Sequence, residues 1–367
     1  MTTVYRADVV GSLLRPEYLK QARAQWKSGE ISTAEFKRLE DLAVDQAIAL
    51  QEATGVDVVT DGEMRREIFS DHVFKELNGL SDIPSPPLDL HNVNTGETVT
   101  LSMPTTVTGK ISRKRMLATE EFVYARARSR APVKATLSSP LLLNFLWSPE
   151  YSPQAYDDPY DLFRDGAAII REEALELARL GCEYIQIDAP ELIQVLADES
   201  QRRRWESVGL SPDWVVPEGI ELVNSVAAPI PGVTFALHVC RANAPSMYLA
   251  RGGYGEFAEK LFPLATNYDI FSLEYDDERS GDFAPLAKLP SDKVAALGLV
   301  STKVEAVEDR DEVTRRIQEA ASYVGLDRLA LSTQCGFASM EAGNELSVNS
   351  QEAKLQLVGE VAHRIWN

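Results

Sequence analysis

Short apolar runs alternate along the chain with longer amphipathic stretches, the pattern of a parallel β/α protein. Eight runs predict strands, at residues 7–11, 56–60, 133–137, 184–188, 234–238, 270–274, 294–300 and 329–332. Between them, segments such as 33–54 and 166–180 carry helical periodicity, and Gly181 supplies a stop for the second. Eight such units predict the α/β class and a single closed (β/α)8 TIM barrel, rather than an open sheet, over residues 1–367. One stretch breaks the rhythm. Residues 81–130 contain Pro84, Pro86 and Pro87, an alternating run at 97–101 and a basic tract at 110–115. They predict an insertion after the second strand, with a β-hairpin in it. Residues 149–159 and 209–217 read as loops.

Composition narrows the class without changing it. A chain of 367 residues fits one barrel with insertions, and 44% hydrophobic with 25% charged residues is an ordinary globular balance. No apolar run approaches the ~20 residues of a membrane helix. The start, Met1-Thr2-Thr3-Val4-Tyr5-Arg6, lacks the basic-then-apolar pattern of a signal peptide, so a cytoplasmic location is expected. A formal charge of −19 argues against a nucleic-acid or anionic-membrane surface. The short run Arg202-Arg203-Arg204 reads as a solvated face. Three cysteines form no disulfide framework.

In a barrel, functional groups gather at the C-terminal ends of the strands, and reactive residue types converge there. Ser12 follows the first predicted strand and Asp61-Gly62-Glu63 the second. Asp188 closes the fourth, His238-Val239-Cys240 the fifth and Glu274 the sixth. Ser301-Thr302-Lys303 follows the seventh and Cys335-Gly336 the eighth. His238, Cys240, Glu274 and Cys335 offer one imidazole, two thiolates and one carboxylate, a donor set that suits Zn2+. On an extended segment His238 and Cys240, at i and i+2, face the same way. Singly, Cys335 reads as a buried filler and Glu274 as a solvated acid; jointly, they read as a metal site. Cys182 falls at a helix-to-strand turn at the opposite end, and His72, His91 and His363 read as structural or surface residues. For Glu63 and Asp188 three readings stand: general acid or base, recognition of an ammonium group, or helix cap and support for a ligand.

With these residues in hand, the chain resembles the short, single-barrel members of the cobalamin-independent methionine synthase family. Val10-Gly11-Ser12 resembles the family's opening motif, residues 57–63 its Gly-Glu motif, and Ile185-Gln186-Ile187-Asp188 its Gln-Ile-Asp motif. His238-Val239-Cys240-Arg241-Ala242-Asn243, Leu273-Glu274-Tyr275 and Thr333-Gln334-Cys335-Gly336-Phe337 resemble its zinc-site segments. The resemblance implies a zinc-dependent thiol S-methyltransferase, converting homocysteine to methionine with methyltetrahydrofolate or another methyl donor. His238, Cys240, Glu274 and Cys335 would be the ligands, and Ser12, Glu63 and Asp188 would hold homocysteine. Asp188 also stands as a catalytic candidate. So does Lys303, in Ser301-Thr302-Lys303, where long members have an Asp-Ile-His sequence whose His assists proton transfer. Two further departures are Ala242, at a position usually Gly, and Asp188-Ala189-Pro190, where Asp-Glu-Pro is usual. Long members also carry a second barrel that contributes to folate binding.

Two alternatives remain at this point. One keeps the zinc-thiolate chemistry but joins an epoxide to another thiol such as coenzyme M, whose sulfonate would call for Arg15, Arg241 or Lys303. The other is a zinc- or thiol-binding protein without turnover.

Overall fold

The computed structural model describes residues 3–366. At its centre is a curled, all-parallel sheet of seven strands. Their spatial order is Ala7–Asp8, Leu329–Thr333, Val294–Val300, Ile270–Glu274, Thr234–Val239, Tyr184–Asp188 and Ala135–Ser138. Each of the seven lies within or overlaps a run expected from the sequence. The expected strand at 56–60 is the exception. It meets its neighbours through a single bridge, Val59 to Val133. The reason lies in Asp57, whose side-chain Oδ2 accepts from the amides of Arg6 and Ala7 at 2.8 and 2.9 Å and so stands in for a backbone partner. The segment still bonds to both sides: Asp57 N donates to Ala7 O, Val59 N to Pro132 O, and Lys134 N to Val59 O.

Period-two alternation sorts side chains onto the two faces of the sheet. Ile185, Ile187, Phe235, Leu237, Phe271, Leu273, Ala295, Leu297 and Leu331 join the large core formed with the helices. The opposite face begins with a small apolar cluster that includes Val58, Tyr184, Ala236, Ile270, Ala296 and Ala330. Continuing along that face toward the strand ends, the side chains become Gln186, Asp188, His238, Ser272 and Glu274. The floor is apolar and the mouth polar, and parallel register keeps the polar residues level: Asp188 pairs with His238, and His238 with Ser272.

The helices begin where capping chemistry permits. Ser32 accepts from Glu35 N at 3.2 Å to start Thr33–Ala53. Helix Pro159–Arg179 starts earlier than its periodicity suggests, because Asp158 caps Tyr160 N and Pro159 suits the first turn. The expected hairpin is present as Leu88–Asn92 against Thr98–Leu101, and Leu88–Asn92 also pairs with Met247–Tyr248. Flanking it, Thr106–Arg113 pairs with Leu77–Ser81. The two expected loops contain short 3-10 turns at Ser152–Gln154 and Pro212–Val215. In the basic run only Arg202 and Arg203 behave as a solvated face. Arg204 folds inward, stacked 4.7 Å from the Phe145 ring and bonded to Asn144 Oδ1 at 2.8 Å, because an arginine stem can cover apolar surface. Among the described residues, no helix is long and apolar enough to cross a membrane.

Candidate metal and substrate site

At the polar mouth of the sheet, ligand atoms of His238, Cys240 and Cys335 lie within 4.8 Å of one another, and all three residues are buried. His238 is the penultimate residue of strand Thr234–Val239 and Cys240 directly follows the strand, so the i, i+2 spacing aims both the same way. Cys335 arrives from the segment after Leu329–Thr333. The imidazole is oriented by Nδ1, which lies 3.3 Å from the Ser272 carbonyl, leaving Nε2 buried and without a hydrogen-bonding partner. A hydrogen bond from Cys240 pulls the Cys335 thiol well below its ordinary value, and the same contact raises Cys240 well above its own. Burial alone would lower His238, but the adjoining Cys335 raises it overall. An orphaned imidazole nitrogen beside two thiols, one of them with its pKa pulled down, fits Zn2+.

Glu274 is placed differently. It is fully buried but not a member of that three-residue group. Its Oε1 accepts from Lys303 Nζ at 3.0 Å and its Oε2 from Arg241 N at 2.7 Å. Burial pushes this carboxyl up, and the Lys303, Arg241 and Arg279 charges overcome that, bringing it down to about 2. Lys303 is therefore in an ion pair, and it does not line the cleft beside the metal group.

That cleft spans about 880 Å³, open solvent at its mouth included, and its lining brings Ser12, Glu63, Asp188, His238, Cys240 and Cys335 together. The same lining includes apolar side chains, among them Leu88, Leu90, Leu101, Met103 and Phe145. Asp188 Oδ1 accepts from Gln186 Nε2 at 2.7 Å, and burial raises the carboxyl to about 7. Glu63 Oε1 accepts from Thr136 Oγ1 at 2.9 Å, while Oε2 is buried and unpartnered; burial raises this group too. Glu63 takes a positive φ of 54°, a conformation that turns its side chain out of the chain's normal course. Ser12 is gripped by the segment that follows the neighbouring strand Leu329–Thr333, its carbonyl accepting from Phe337 N and its Oγ from Ala338 N at 3.3 Å. That grip needs Gly336: a Cβ there would lie 2.0 Å from Ser12 Oγ. Ala242 sits at φ 69°, so the position described above as usually Gly is indeed a left-handed one.

Beneath the site runs a buried polar chain. Gln186 Oε1 accepts from Lys134 Nζ at 2.8 Å; Lys134 also bonds Asp8 Oδ1 at 2.8 Å; and Tyr184 OH donates to Asp8 Oδ2 at 2.7 Å. Gln186 shares the i, i+2 face of Asp188, so its supporting role was open to strand-spacing reasoning. Thr136 and Arg279 were not, since only folding brings them to Glu63 and Glu274. Of the remaining histidines, His72 is buried and accepts from Ser138 N at 2.7 Å, so burial lowers it well below its ordinary value. His91 and His363 bond Thr98 and Asp57. Cys182 is buried at the start of strand Tyr184–Asp188, away from the mouth, and burial lifts its thiol to about 12.

A curled parallel α/β sheet with a His/Cys/Cys group at its C-terminal mouth matches known proteins across its length. Residues 5–361 match the family model described as the catalytic domain of the cobalamin-independent synthases, and the chain belongs to that family, one of methyltransferases. It is 37% identical to the uncharacterized protein YxjG of Bacillus subtilis, over 99% of this chain and 95% of that protein. It is 25% identical to a methionine synthase of Pyrococcus abyssi, over 91% and 86% of the two chains. Among solved structures, a Listeria monocytogenes protein assigned to the vitamin-B12-independent methionine synthases superimposes with a TM-score of 0.74 at 27% identity, covering 100% of this chain and 99% of that one.

Proposed function

We propose that the chain is a zinc-dependent thiol S-methyltransferase that converts homocysteine to methionine. The observation that carries this reading is the buried, unpartnered Nε2 of His238 facing the Cys240 and Cys335 thiols. A buried nitrogen without a partner costs stability unless something fills its place, and family membership supplies the chemistry that would. His238, Cys240 and Cys335 would hold the ion, with Glu274 the expected fourth ligand. Bound zinc would lower the pKa of a coordinated substrate thiol so that it exists as the thiolate near neutral pH.

The chain's own residues do the rest. Glu63 and Asp188 present carboxylate oxygens on one wall of the cleft, one of them without a partner, and accept the substrate's ammonium hydrogens. Ser12, held by the 337–338 backbone, bounds the same end. The apolar wall from the hairpin excludes water from the methyl-transfer line and gives the donor an uncharged surface. No lysine or arginine lines the cleft among the described residues, which suits methyltetrahydrofolate without reliance on an anionic tail, or another methyl donor. The alternative in which a sulfonate is bound lacks its cations. Arg15 is committed to the carbonyls of Leu13, Ala338 and Arg66, and Arg241 and Lys303 to Glu274. Lys303 is the candidate for assisting proton transfer, acting through Glu274 rather than on substrate directly. In this reading the eight β/α units close as a barrel through residues 56–60, residues 1–367 act as one catalytic domain with 81–130 as its insertion, and the enzyme works in the cytoplasm.

X-ray absorption at the zinc edge, with and without homocysteine, tests the proposal. We expect stoichiometric zinc with two sulfur ligands, and a third sulfur on adding homocysteine. Zinc that gains no sulfur from homocysteine would refute the substrate, and a protein purified without zinc that takes none up would refute the metal site. Cys335→Ser is expected to lose the zinc while the fold persists.

A further inference from the structure

Glu63 has its two oxygens in unlike surroundings, and the residues behind it make the difference. Oε1 is enclosed. Thr136 Oγ1 donates to it at 2.9 Å, and the Arg66 guanidinium stands 3.5 Å away. Gly11 backs it so closely that a Cβ there would lie 2.8 Å from Oε1. Oε2, by contrast, is buried and has no partner. Arg66 is near enough to seal Glu63 off, yet its hydrogens are spent elsewhere. A guanidinium carries five N–H groups. The one on Nε is directed at Glu121, 3.1 Å from Oε2. The two on Nη2 go to Glu121 Oε2 at 2.7 Å and to the Thr136 carbonyl at 2.9 Å. The two on Nη1 go to the Phe69 carbonyl at 2.8 Å and to Thr136 Oγ1 at 3.1 Å. None remains for Glu63.

We propose that Arg66 and Thr136 are positioning residues that tie Glu63 by Oε1 and leave Oε2 bare for the substrate's ammonium group. The inference rests on the reading of Glu63 as an ammonium-binding residue. A guanidinium can only donate, so the Thr136 hydroxyl must accept from Arg66, and its single hydrogen is left to point at Glu63. Glu121 completes the arrangement. It holds Arg66 through two nitrogens. Without that pull the guanidinium would close the remaining 3.5 Å and compete with the ammonium group for the same carboxylate. Arg66 acts as a charge too: burial pushes the Glu63 carboxyl up, and Arg66 is the strongest influence opposing it. Glu121 belongs to helix Leu117–Arg126, inside the 81–130 stretch that interrupts the β/α rhythm. That stretch therefore braces the ammonium subsite from behind, in addition to supplying the hairpin.

Calorimetry on the zinc-loaded protein with two thiols is the test: homocysteine, and γ-mercaptobutyrate, which has the same chain and carboxylate but no amine. The ratio of the two affinities isolates the ammonium contact. Thr136→Val keeps the outline of the side chain while freeing Oε1 and one Arg66 hydrogen. Homocysteine binding should then weaken about tenfold, with γ-mercaptobutyrate affinity unchanged within about twofold. Thr136→Ser returns the hydroxyl and should return the ratio. Arg66→Lys keeps the charge without the fork of donors, and should lose the ratio as Thr136→Val does. If Arg66→Lys does not fold, the two Thr136 variants decide alone. A purely structural role would lower both affinities together, and that result, or a wild-type ratio in Thr136→Val, would overturn the proposal. A wild-type protein that binds neither thiol, or both equally, would instead overturn the ammonium reading of Glu63 and this inference with it.

Discussion

Replacing Glu191 by glutamine should leave stability unchanged in mild acid and raise it in alkali. Glu191 lies in the first turn of helix Pro190–Ala197, directly after Asp188 and Ala189. It is fully buried beside Ser139, and neither carboxylate oxygen has a hydrogen-bonding partner. Burial raises the group from 4.5 to about 8, with the Asp188 charge adding to the rise. The folded protein therefore keeps this proton where the unfolded chain has already lost it. Stability falls as pH climbs from 4.5 to about 8 and levels off above, because over that interval the folded state binds more protons. At about 1.4 kcal/mol per pH step, the full climb amounts to at most roughly 5 kcal/mol, and local relaxation reduces it. In a domain of this size that is at most roughly 6 °C in Tm. Glutamine keeps the shape and cannot ionise. Thermal unfolding of both proteins at pH 4 and pH 9 is the assay, with the difference between them as the readout so that other groups cancel. We expect no gap in acid and a gap of a few degrees favouring Glu191→Gln in alkali. Parallel pH profiles for the two proteins would show that Glu191 ionises normally and refute the reasoning. A neutral Glu191 also has a local benefit, since it adds no second negative charge beneath Asp188.

Two further outcomes are expected at the substrate wall. Asp188→Asn and Glu63→Gln each remove one carboxylate from the proposed ammonium contact, so homocysteine affinity should fall about ten- to hundredfold with zinc content unchanged; calorimetry on the zinc-loaded protein decides it, and unaltered affinity would remove both from substrate recognition. Gly336→Ala places a Cβ 2.0 Å from Ser12 Oγ, which must move; a stability loss of about 1–3 kcal/mol by denaturant unfolding and weaker homocysteine binding are expected, whereas a variant equal to wild type in both would show that Ser12 has room to spare.

The strands and the grouping of His238, Cys240 and Cys335 were readable in the sequence for the same reason. A parallel strand buried on both faces is a continuous apolar run, and where it ends a polar side chain at i and i+2 stands out, as His238 and Cys240 do. Residues 56–60 misled as a strand because the apolar run at Val56, Val58 and Val59 is real, but the side chain of Asp57 takes two amides that a ladder would have used. Helix 159–179 was cut short because its first turn looks like loop: Asp158 and Pro159 are turn residues and also an N-terminal cap. Glu274 was read as a ligand from its place at a strand end. Its engagement by Arg241 and Arg279 was hidden, because Arg279 approaches from a 3-10 turn whose course no local pattern specifies. The cleft's apolar wall was equally hidden, being built by the 88–101 hairpin folding back over the mouth.

The polar chain under the site has a direction. A lysine ammonium can only donate, so Lys134 obliges Gln186 to turn its carbonyl oxygen downward and its NH2 upward. The amide cannot flip without facing NH2 against NH3+. Asp188 is thus always offered a donor and never a second acceptor, which favours its carboxylate form against the burial that opposes it. A residue on the floor of the sheet thereby sets which end of an amide the Asp188 carboxylate meets. Conservative-looking loss of Lys134 would leave that choice to chance, and the mouth of the protein would inherit the ambiguity from its base.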